Sequence, residues 1–484
     1  MTKLVYRIPI ASLLLTDAYV VTVDPARRVI ADGWVAIEDD RIAAIGSMAE
    51  LGDRVADERI GLGGKLLMPG LVNGHNHHWG SLFKNTGEGL YLEDWIDQVA
   101  LPLGSHLTND DLRVAAYLGA IEQIRTGTTC SLNHVFNIND ADSMRAMIEP
   151  VVEVGVRQLV TKELRDTPDP PFSPAYAARP HIRSRDEELA MAEELVDQWD
   201  GAGGVIHMGL AIEANENWLL HNATSDEIVL AGLDLARRRG LKITNHCSSG
   251  TPWRSHREFV DATGGGDVDY LARLGALSEH WVMAHALHLT ERELDHIARA
   301  GASVITNPVS TAYTCGGVAP VKGMLERGIT VGLGTDGAYV NCSPDMVEQM
   351  KFAALLQNVT HMDPTLMTSE RVIEMATIEC ARAIGLDHLI GSLEVGKKAD
   401  LVCFDLGRAH SVVANRPIGA LVFSAHGTDA DTVVVDGKVV LRSGELVGFD
   451  GEQQVLDEAT RRAGEVIDRA GLSERVYAHW RHDH

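Results

Sequence analysis

The stretch MPGLVNGHNHH at residues 68–78 is an apolar run that ends in three histidines and an asparagine. Successive side chains of a β-strand point to opposite faces, so His75 and His77 would lie on the same side of a strand. Two imidazoles at that spacing can reach a single cation. The stretch therefore predicts a buried strand whose end supplies two ligands to a metal ion.

Four further apolar runs end in a side chain that can bind a metal or handle protons. They are LKITNH ending at His246, WVMAH ending at His285, GASVITN ending at Asn307 and GITVGLGTD ending at Asp336. The intervals between them leave room for a loop, a helix and a second loop. This spacing predicts a parallel β/α barrel, because the strands of such a barrel all deliver their C-terminal residues to one rim.

The remaining sequence divides by texture. Two segments contain short β-type runs separated by Gly and Asp turns, whereas the long central segment alternates strand-like runs with polar-faced helical stretches. We therefore expect a catalytic barrel, a small β domain built from both ends of the chain, and a charged C-terminal helix. The predicted boundaries are 1–67 and 391–450 for the β domain, 68–390 for the barrel and 451–484 for the C-terminal helix and tail.

Two local signals refine this division. Asp436-Gly437 between two valine runs is typical of a tight β-hairpin. Ser343 followed by Pro344 predicts the capped start of a helix that continues to about residue 359.

Composition excludes several classes of function. A formal charge of −25 over 484 residues disfavours nucleic acid and anionic membranes as partners. No run of 18 apolar residues is present, and the six cysteines form no CxxC pair. We expect a cytoplasmic protein with reduced thiols that acts on a small-molecule substrate.

The polar strand ends form a plausible catalytic set. His75, His77, His246 and Asp336 offer three imidazoles and one carboxylate to a divalent metal with an open position for water. His285 is left to hold the attacking hydroxide or to polarise the substrate, and Asp336 can also accept the proton of the water. Asp336 and His285 are therefore the predicted catalytic residues.

These motifs, together with GLGTDG around Asp336 and IGSLEVGKKADLVCFDL at 390–406, resemble the amidohydrolase superfamily. The resemblance spans nearly the whole chain, and points to the subgroup that contains cytosine deaminase-like enzymes and atrazine chlorohydrolase. It implies a distorted (β/α)8 TIM barrel with a flanking β-sandwich, and one divalent ion, Zn in first place with Fe, Co or Mn as alternatives. It also implies hydrolysis at a carbon bearing nitrogen or another leaving group, and a homodimer or higher homo-oligomer.

One position departs from this pattern. Deaminases of the subgroup carry His-x-x-Glu after the fifth strand, where the Glu protonates a ring nitrogen, but here His246 is followed by Cys-Ser-Ser249. A serine has no proton to give at neutral pH, so Glu213 or Glu216 would have to replace the acid. We therefore expect attack of metal-bound hydroxide on an amide, urea or carbamate-like carbonyl, as in the phenylurea and thiocarbamate (molinate) hydrolases. The alternative is a deaminase or dechlorinase of a nitrogen heterocycle such as an s-triazine or purine.

Substrate contacts are predicted from proximity to the metal motifs. They are Trp79, His288, Asn307, Tyr339 and Glu213. The aromatic residues Trp95, Trp218 and Tyr313 could also face the substrate, although aromatic side chains pack in cores more often than they bind ligands.

Three alternatives stay open at this point. Asn76 and His78 could form the metal pair on the opposite strand face, and His134 could either enter the site or be a core histidine. Lys162 could be a carboxylated lysine bridging two metals. A barrel that has lost catalysis and serves as a binding protein would have eroded ligands, whereas all five of the expected His and Asp residues are present.

Overall fold

The computed structural model describes residues 11–135, 140–166, 183–213 and 224–476. Its strands form two separate sheets, one of nine strands and one of eight. The helices lie mainly between successive strands of the eight-stranded sheet, in the alternation that the sequence predicted. None of the described helices combines the length and apolar character needed to cross a membrane.

The eight-stranded sheet is a parallel barrel in which each strand pairs with its neighbours in chain order. The last strand returns to the first, because the Asp336 N–H donates to the His75 carbonyl at 2.9 Å and the Thr335 N–H donates to Asn73 Oδ1 at 3.0 Å. The predicted (β/α)8 fold is confirmed. Its strands are β6 Leu71–Asn76, β7 Thr128–Asn133, β8 Arg157–Glu163, β9 Ile206–Ala211, β10 Ile243–Cys247, β11 Trp281–His285, β12 Ser303–Thr306 and β13 Val331–Leu333.

The nine-stranded sheet joins both ends of the chain. Its strands are β1 Ala11–Val21, β2 Val29–Glu38, β3 Arg41–Ser47, β4 Ala56–Gly61, β5 Leu66–Pro69, β14 Leu401–Phe404, β15 Ala430–Val435, β16 Lys438–Arg442 and β17 Glu445–Leu446. The N-terminal β5 pairs antiparallel with the C-terminal β14. At the predicted hairpin, Asp436 and Gly437 have φ of 50° and 77°, as a two-residue turn between β15 and β16 requires. The prediction of one β unit built from both termini is confirmed.

The helices of at least four residues have the following bounds: α1 Leu92–Trp95, α2 Leu101–Ser105, α3 Asn109–Arg125, α4 Ala141–Val154, α5 Arg185–Trp199, α6 Asp226–Arg239, α7 Ser255–Thr263, α8 Asp267–Leu274, α9 Glu291–Ala300, α10 Pro308–Tyr313, α11 Val321–Glu326, α12 Ala338–Asn341, α13 Met346–His361, α14 Ser369–Met375, α15 Ile378–Ala383, α16 Pro417–Phe423, α17 Glu452–Arg469 and α18 Ser473–Val476. The long C-terminal helix α17 falls within the segment where the sequence predicted one.

Helix α13 begins later than the sequence predicted. Its N-cap is Asp345, whose Oδ1 accepts hydrogen bonds from the N–H groups of Val347 and Glu348. The prediction of Ser343 as N-cap was wrong, because the Asp345 carboxylate two residues later satisfies the free N–H groups of the first turn.

A buried ion-pair network joins the barrel to the nine-stranded sheet. Arg157, at the start of β8, is fully buried, and its Nε lies 2.8 Å from Asp400 Oδ2. Its Nη2 lies 3.0 Å from Asp436 Oδ1 in the hairpin between β15 and β16. These contacts bind the N-terminal end of the barrel to the sheet and leave the opposite, C-terminal rim for the site.

Candidate active site

Side chains from the ends of four barrel strands converge at the C-terminal rim. Asp336, just after β13, lies at the centre of the group: its Oδ1 is 3.6 Å from His75 Nε2 and 3.4 Å from His77 Nε2. Its Oδ2 is 3.8 Å from Nε2 of His285 at the end of β11. His246, near the end of β10, completes the group with its Nε2 3.1 Å from that of His77. The sequence predicted that these five residues meet, and the structure brings them together.

Hydrogen bonds behind the imidazoles orient two of them. Nδ1 of His77 lies 2.7 Å from the backbone carbonyl of His134, and Nδ1 of His246 lies 2.7 Å from Oε1 of Glu213. Each Nδ1 therefore carries the proton and donates it outward, which leaves the Nε2 lone pairs facing each other at the centre. Ring orientation and tautomer are both set for binding a cation.

His75 provides the test of whether this cluster fits a metal ion. Its side chain is fully buried, and neither ring nitrogen has a hydrogen-bond partner among the described residues. Burying an imidazole without partners costs free energy unless a ligand satisfies it. His75, His285 and Asp336 have ligand atoms within 4.8 Å of one another, as have His75, His134 and His246. The cluster is a site for a divalent metal ion.

Burial sets the protonation states of the histidines. It lowers the pKa of His75 to about 4 and that of His285 to about 3, in both cases against the attraction of Asp336. It also lowers the pKa of His77 well below its ordinary value. These rings are neutral near pH 7, the form that binds metals.

The two carboxylates of the site respond in the opposite sense. Burial alone would raise the pKa of Asp336, but His75, His285 and His77 hold it well below its ordinary value. Burial likewise opposes the charge of Glu213, yet His246 and His134 lower the pKa of that carboxyl. Burial would lower the pKa of His246, whereas its contact with Glu213 raises it. Both carboxylates are ionised beside the imidazoles.

The backbone is strained where the strands deliver these side chains. His285, Ala286 and Asp336 have φ of 69°, 51° and 64°, and Ser248 has φ of 43°. Non-glycine residues rarely adopt this left-handed region, and such strain clusters at functional sites. The strained turns direct His285 and Asp336 toward the centre of the rim.

Asn307 contacts His285 from behind. Its side-chain amide nitrogen lies 3.2 Å from His285 Nδ1. With the amide donating to Nδ1, the imidazole proton resides on Nε2, the atom that faces Asp336. His285 thereby presents an N–H donor toward the place where a substrate oxygen would lie.

A cavity of about 590 Å³ opens directly onto these residues. Apolar and aromatic side chains form much of its wall, among them Leu92, Trp95, Leu287 and Tyr339. The other lining residues include His77, His246, Ser249, His285, Ser310, Thr311, Thr314 and Asp336. A mostly apolar cavity with a few convergent polar groups is the usual form of a small-molecule site.

Tyr339 is held firmly in the wall of this cavity. Its ring stacks on Trp95 with centroids 4.9 Å apart and an interplanar angle of 7°. A Cβ atom placed on Gly80 would lie 1.5 Å from the Tyr339 ring, so only glycine permits this approach. Trp79 packs on the other side of Tyr339 at 4.7 Å and is 1% exposed.

Of the five predicted substrate contacts, Tyr339 lines the cavity and the other four lie outside its described wall. Trp79 supports Tyr339, Asn307 lies behind His285 and Glu213 lies behind His246. His288 is stacked beside His256, with ring centroids 5.1 Å apart. The expectation of direct contact differs from the structure at these four positions, because the last side chains of the strands point toward their neighbours rather than into the cavity.

The open alternatives also receive a location. His78 turns away from the cluster, with Nε2 of Gln158 3.4 Å from its ring nitrogens. Lys162 Nζ lies 2.7 Å from Glu188 Oε2, on the helix side of the barrel. His134 does reach the site, where its Nε2 lies 2.8 Å from Glu213 Oε1. Glu216 and Trp218 lie outside the described residues.

Sequence reasoning missed the contribution of helix α10 and of the segment around α1. Ser310, Thr311 and Thr314 bring hydroxyl groups to the cavity, and Leu92 and Ile96 bring apolar ones. None of these residues belongs to a metal-type motif. The only available signal was their position in loops that follow barrel strands, where binding residues concentrate.

The comparisons with known proteins agree with this geometry. Residues 66–440 match the Amidohydrolase family. The chain belongs to the amidohydrolase family. A 5-methylthioadenosine/S-adenosylhomocysteine deaminase from Desulforudis audaxviator is 34% identical over 460 residues, which cover 94% of this chain and 99% of the relative.

Solved structures extend the comparison. An adenosine deaminase from Xanthomonas campestris with bound zinc superimposes with a TM-score of 0.84 at 27% identity, covering 96% of this chain and 100% of the other. Atrazine chlorohydrolase TrzN from Arthrobacter aurescens, complexed with zinc and atraton, gives a TM-score of 0.83 at 21% identity, covering 93% and 100%. The second likeness shows the fold. The amidohydrolase resemblance predicted from the sequence is confirmed, and the protein is a hydrolase acting on carbon–nitrogen bonds other than peptide bonds.

Proposed function

We propose that this amidohydrolase cleaves the carbonyl–nitrogen bond of a small, flat amide, urea or carbamate-like molecule. The observation that carries the proposal is Ser249, which lines the cavity at the position where the resemblance leads one to expect a glutamate. Asp336 is the sole carboxylate among the described residues of the cavity wall. Protonation of an aromatic ring nitrogen by a second acid has no described residue to perform it.

The proposed metal ligands are His75, His77, His246 and Asp336, and the proposed ion is Zn²⁺. Three neutral imidazoles and one carboxylate suit zinc in a catalytic site. The two unpartnered nitrogens of buried His75 and the converging Nε2 atoms of His77 and His246 support the assignment. When bound, the ion would activate a water molecule and polarise the substrate carbonyl.

The chain's own residues would handle the protons. Asp336, ionised and central, would accept a proton from the attacking water and pass it to the nitrogen that departs as an amine. His285, with its proton on Nε2 through the contact with Asn307, would donate a hydrogen bond to the oxygen that gains negative charge. The apolar wall formed by Leu92, Trp95 and Tyr339 would exclude bulk water and orient a flat substrate.

A second candidate is deamination of a 6-aminopurine nucleoside. The relatives named as deaminases favour it, because the first of them matches nearly the full length of both chains. A purine would fit between the aromatic side chains equally well. The two candidates differ in the need for a second acid, which only ring deamination has.

The test is a direct comparison of kcat/KM on aryl ureas, carbamates and anilides with that on adenosine, 5′-deoxyadenosine and 5-methylthioadenosine. The proposal predicts turnover of a carbonyl substrate by the wild type and little or no ammonia from the nucleosides. Ser249→Glu should add ammonia release, while Ser249→Ala, the matched control at the same position, should not. Efficient nucleoside deamination by the wild type would overturn the proposal in favour of the second candidate.

We also propose that the protein forms a homodimer or a higher homo-oligomer. Helix α13 exposes Phe352, Leu355 and Val359 along one face, followed by Met362, which is 91% exposed. A helix that is apolar on all sides is ordinarily covered. Light scattering during gel filtration tests this, since Leu355→Glu should shift an oligomer to the monomer.

A further inference from the structure

A second cavity, of about 300 Å³, lies behind helix α10. We refer to it as the α10 cavity. Thr311 of this helix lines both the α10 cavity and the cavity that contains the metal cluster. One turn of helix is thus the partition between the two spaces, and a substituent that passes Thr311 would enter the second.

The wall of the α10 cavity is mainly apolar and adaptable. It includes Val321, Leu356, Met367 and Met375. Methionine side chains adjust to irregular ligand shapes. Since an apolar protein cavity of about 150 Å³ suffices to bind benzene, this space can take one substituted ring or a branched alkyl group.

One polar group in this wall lacks a partner. Gln357 is 4% exposed, and its Nε2 donates to the carbonyl of Ala319 at 2.9 Å. Its Oε1 is buried and accepts no hydrogen bond from any described residue. A buried acceptor without a donor is costly, so the cavity is suited to a ligand that brings a single N–H group.

We propose that the α10 cavity binds the apolar, N–H-bearing part of the substrate, the part that departs as an aryl or branched alkyl amine. Gln357 Oε1 accepts the N–H, and the apolar wall encloses the ring or alkyl group. The assignment of this part to the leaving amine rests on the proposed function. The existence of the binding site does not, because it follows from the cavity and from Gln357 alone.

Binding of 4-fluoroaniline to metal-replete protein, followed by ¹⁹F NMR, tests the proposal without requiring turnover. 4-Fluorotoluene is the matched probe, of nearly the same shape but without an N–H. The wild type should bind 4-fluoroaniline about five- to tenfold more tightly than 4-fluorotoluene, the ratio expected of one hydrogen bond. Gln357→Leu should reduce that ratio to about one, and Leu356→Trp should abolish binding of both probes by filling the cavity.

Gln349→Leu is the matched control, since Gln349 is a buried glutamine two turns earlier on α13 and outside the described wall of the α10 cavity. It should leave the ratio unchanged. Equal binding of 4-fluoroaniline by the wild type, Gln357→Leu and Leu356→Trp would overturn the proposal. Loss of the ratio in Gln357→Leu would support the site even if the substrate panel contradicted the proposed function, so the two failures are distinguishable.

Discussion

Oε1 of Glu213 lies 2.7 Å from Nδ1 of His246, on the side of the ring that faces away from Asp336 and His77. The same oxygen lies 2.8 Å from Nε2 of His134. A carboxylate in this position fixes both the tautomer and the direction of a metal-binding imidazole. Glu213 therefore acts through His246 and is a positioning residue.

Glu213→Gln should weaken metal binding about 10- to 100-fold, because loss of the negative charge removes the orientation of His246. The dissociation constant for zinc, measured by competition with a chromophoric chelator, checks this. Glu122→Gln is the control, since Glu122 is a carboxylate paired with Lys84 away from the site. An unchanged zinc affinity in Glu213→Gln would show that the contact does not position the ligand.

His285 and His246 should separate catalysis from metal binding. His285→Asn should keep the metal and lower kcat about 10²- to 10⁴-fold, because the donor to the developing negative charge is lost. His246→Ala should lose metal and activity together. Elemental analysis alongside steady-state kinetics distinguishes these outcomes, and loss of metal in His285→Asn would place that residue among the ligands.

The buried pair between Arg157 and Asp400 should dominate the attachment of the β unit to the barrel. Arg157→Met leaves Asp400 with an uncompensated buried charge, and should lower the free energy of unfolding by about 3–5 kcal/mol. Arg238→Met, which breaks an exposed pair with Glu193, should cost less than about 1 kcal/mol. Denaturant unfolding measures both, and equal effects would contradict the assignment.

Docking of the C-terminal helix should weaken in acid. Burial would raise the pKa of Asp111, but hydrogen bonds from Thr108, Arg462 and Arg469 lower it. The stabilisation is present above the ordinary aspartate pKa of about 4 and is lost as the pH falls through the lower pKa of the folded state.

Asp111→Asn should therefore cost about 2 kcal/mol at pH 7 and progressively less below pH 4. Thermal unfolding of the wild type and the variant across this pH range checks the prediction. A difference in Tm that does not change with pH would assign the effect of the substitution to packing.

The strand ends show what was predictable from the sequence. His75, His77, His246, His285 and Asp336 each close or follow a short apolar run, so the barrel topology alone brings them together. The same local pattern also predicted the turn at Asp436, where a positive φ is required. In both cases neighbouring residues in the sequence contain the information.

Side-chain directions at the strand ends were not predictable in this way. Asn307 and Glu213 also end strands, but their side chains point to His285 and His246 rather than into the cavity. The start of α13 at Asp345 depended on which of two nearby caps bonds the first turn. The α10 cavity depends on the packing of α10 against α13, which no local motif specifies.

The most direct test of the central claim is mass-spectrometric identification of the products formed in ¹⁸O-water by zinc-replete enzyme. A free amine together with ¹⁸O in the carboxyl, carbamate or carbonate product is the expected result. Release of ammonia from a purine, with ¹⁸O on the ring carbon, would contradict the claim that Ser249 marks a carbonyl hydrolase.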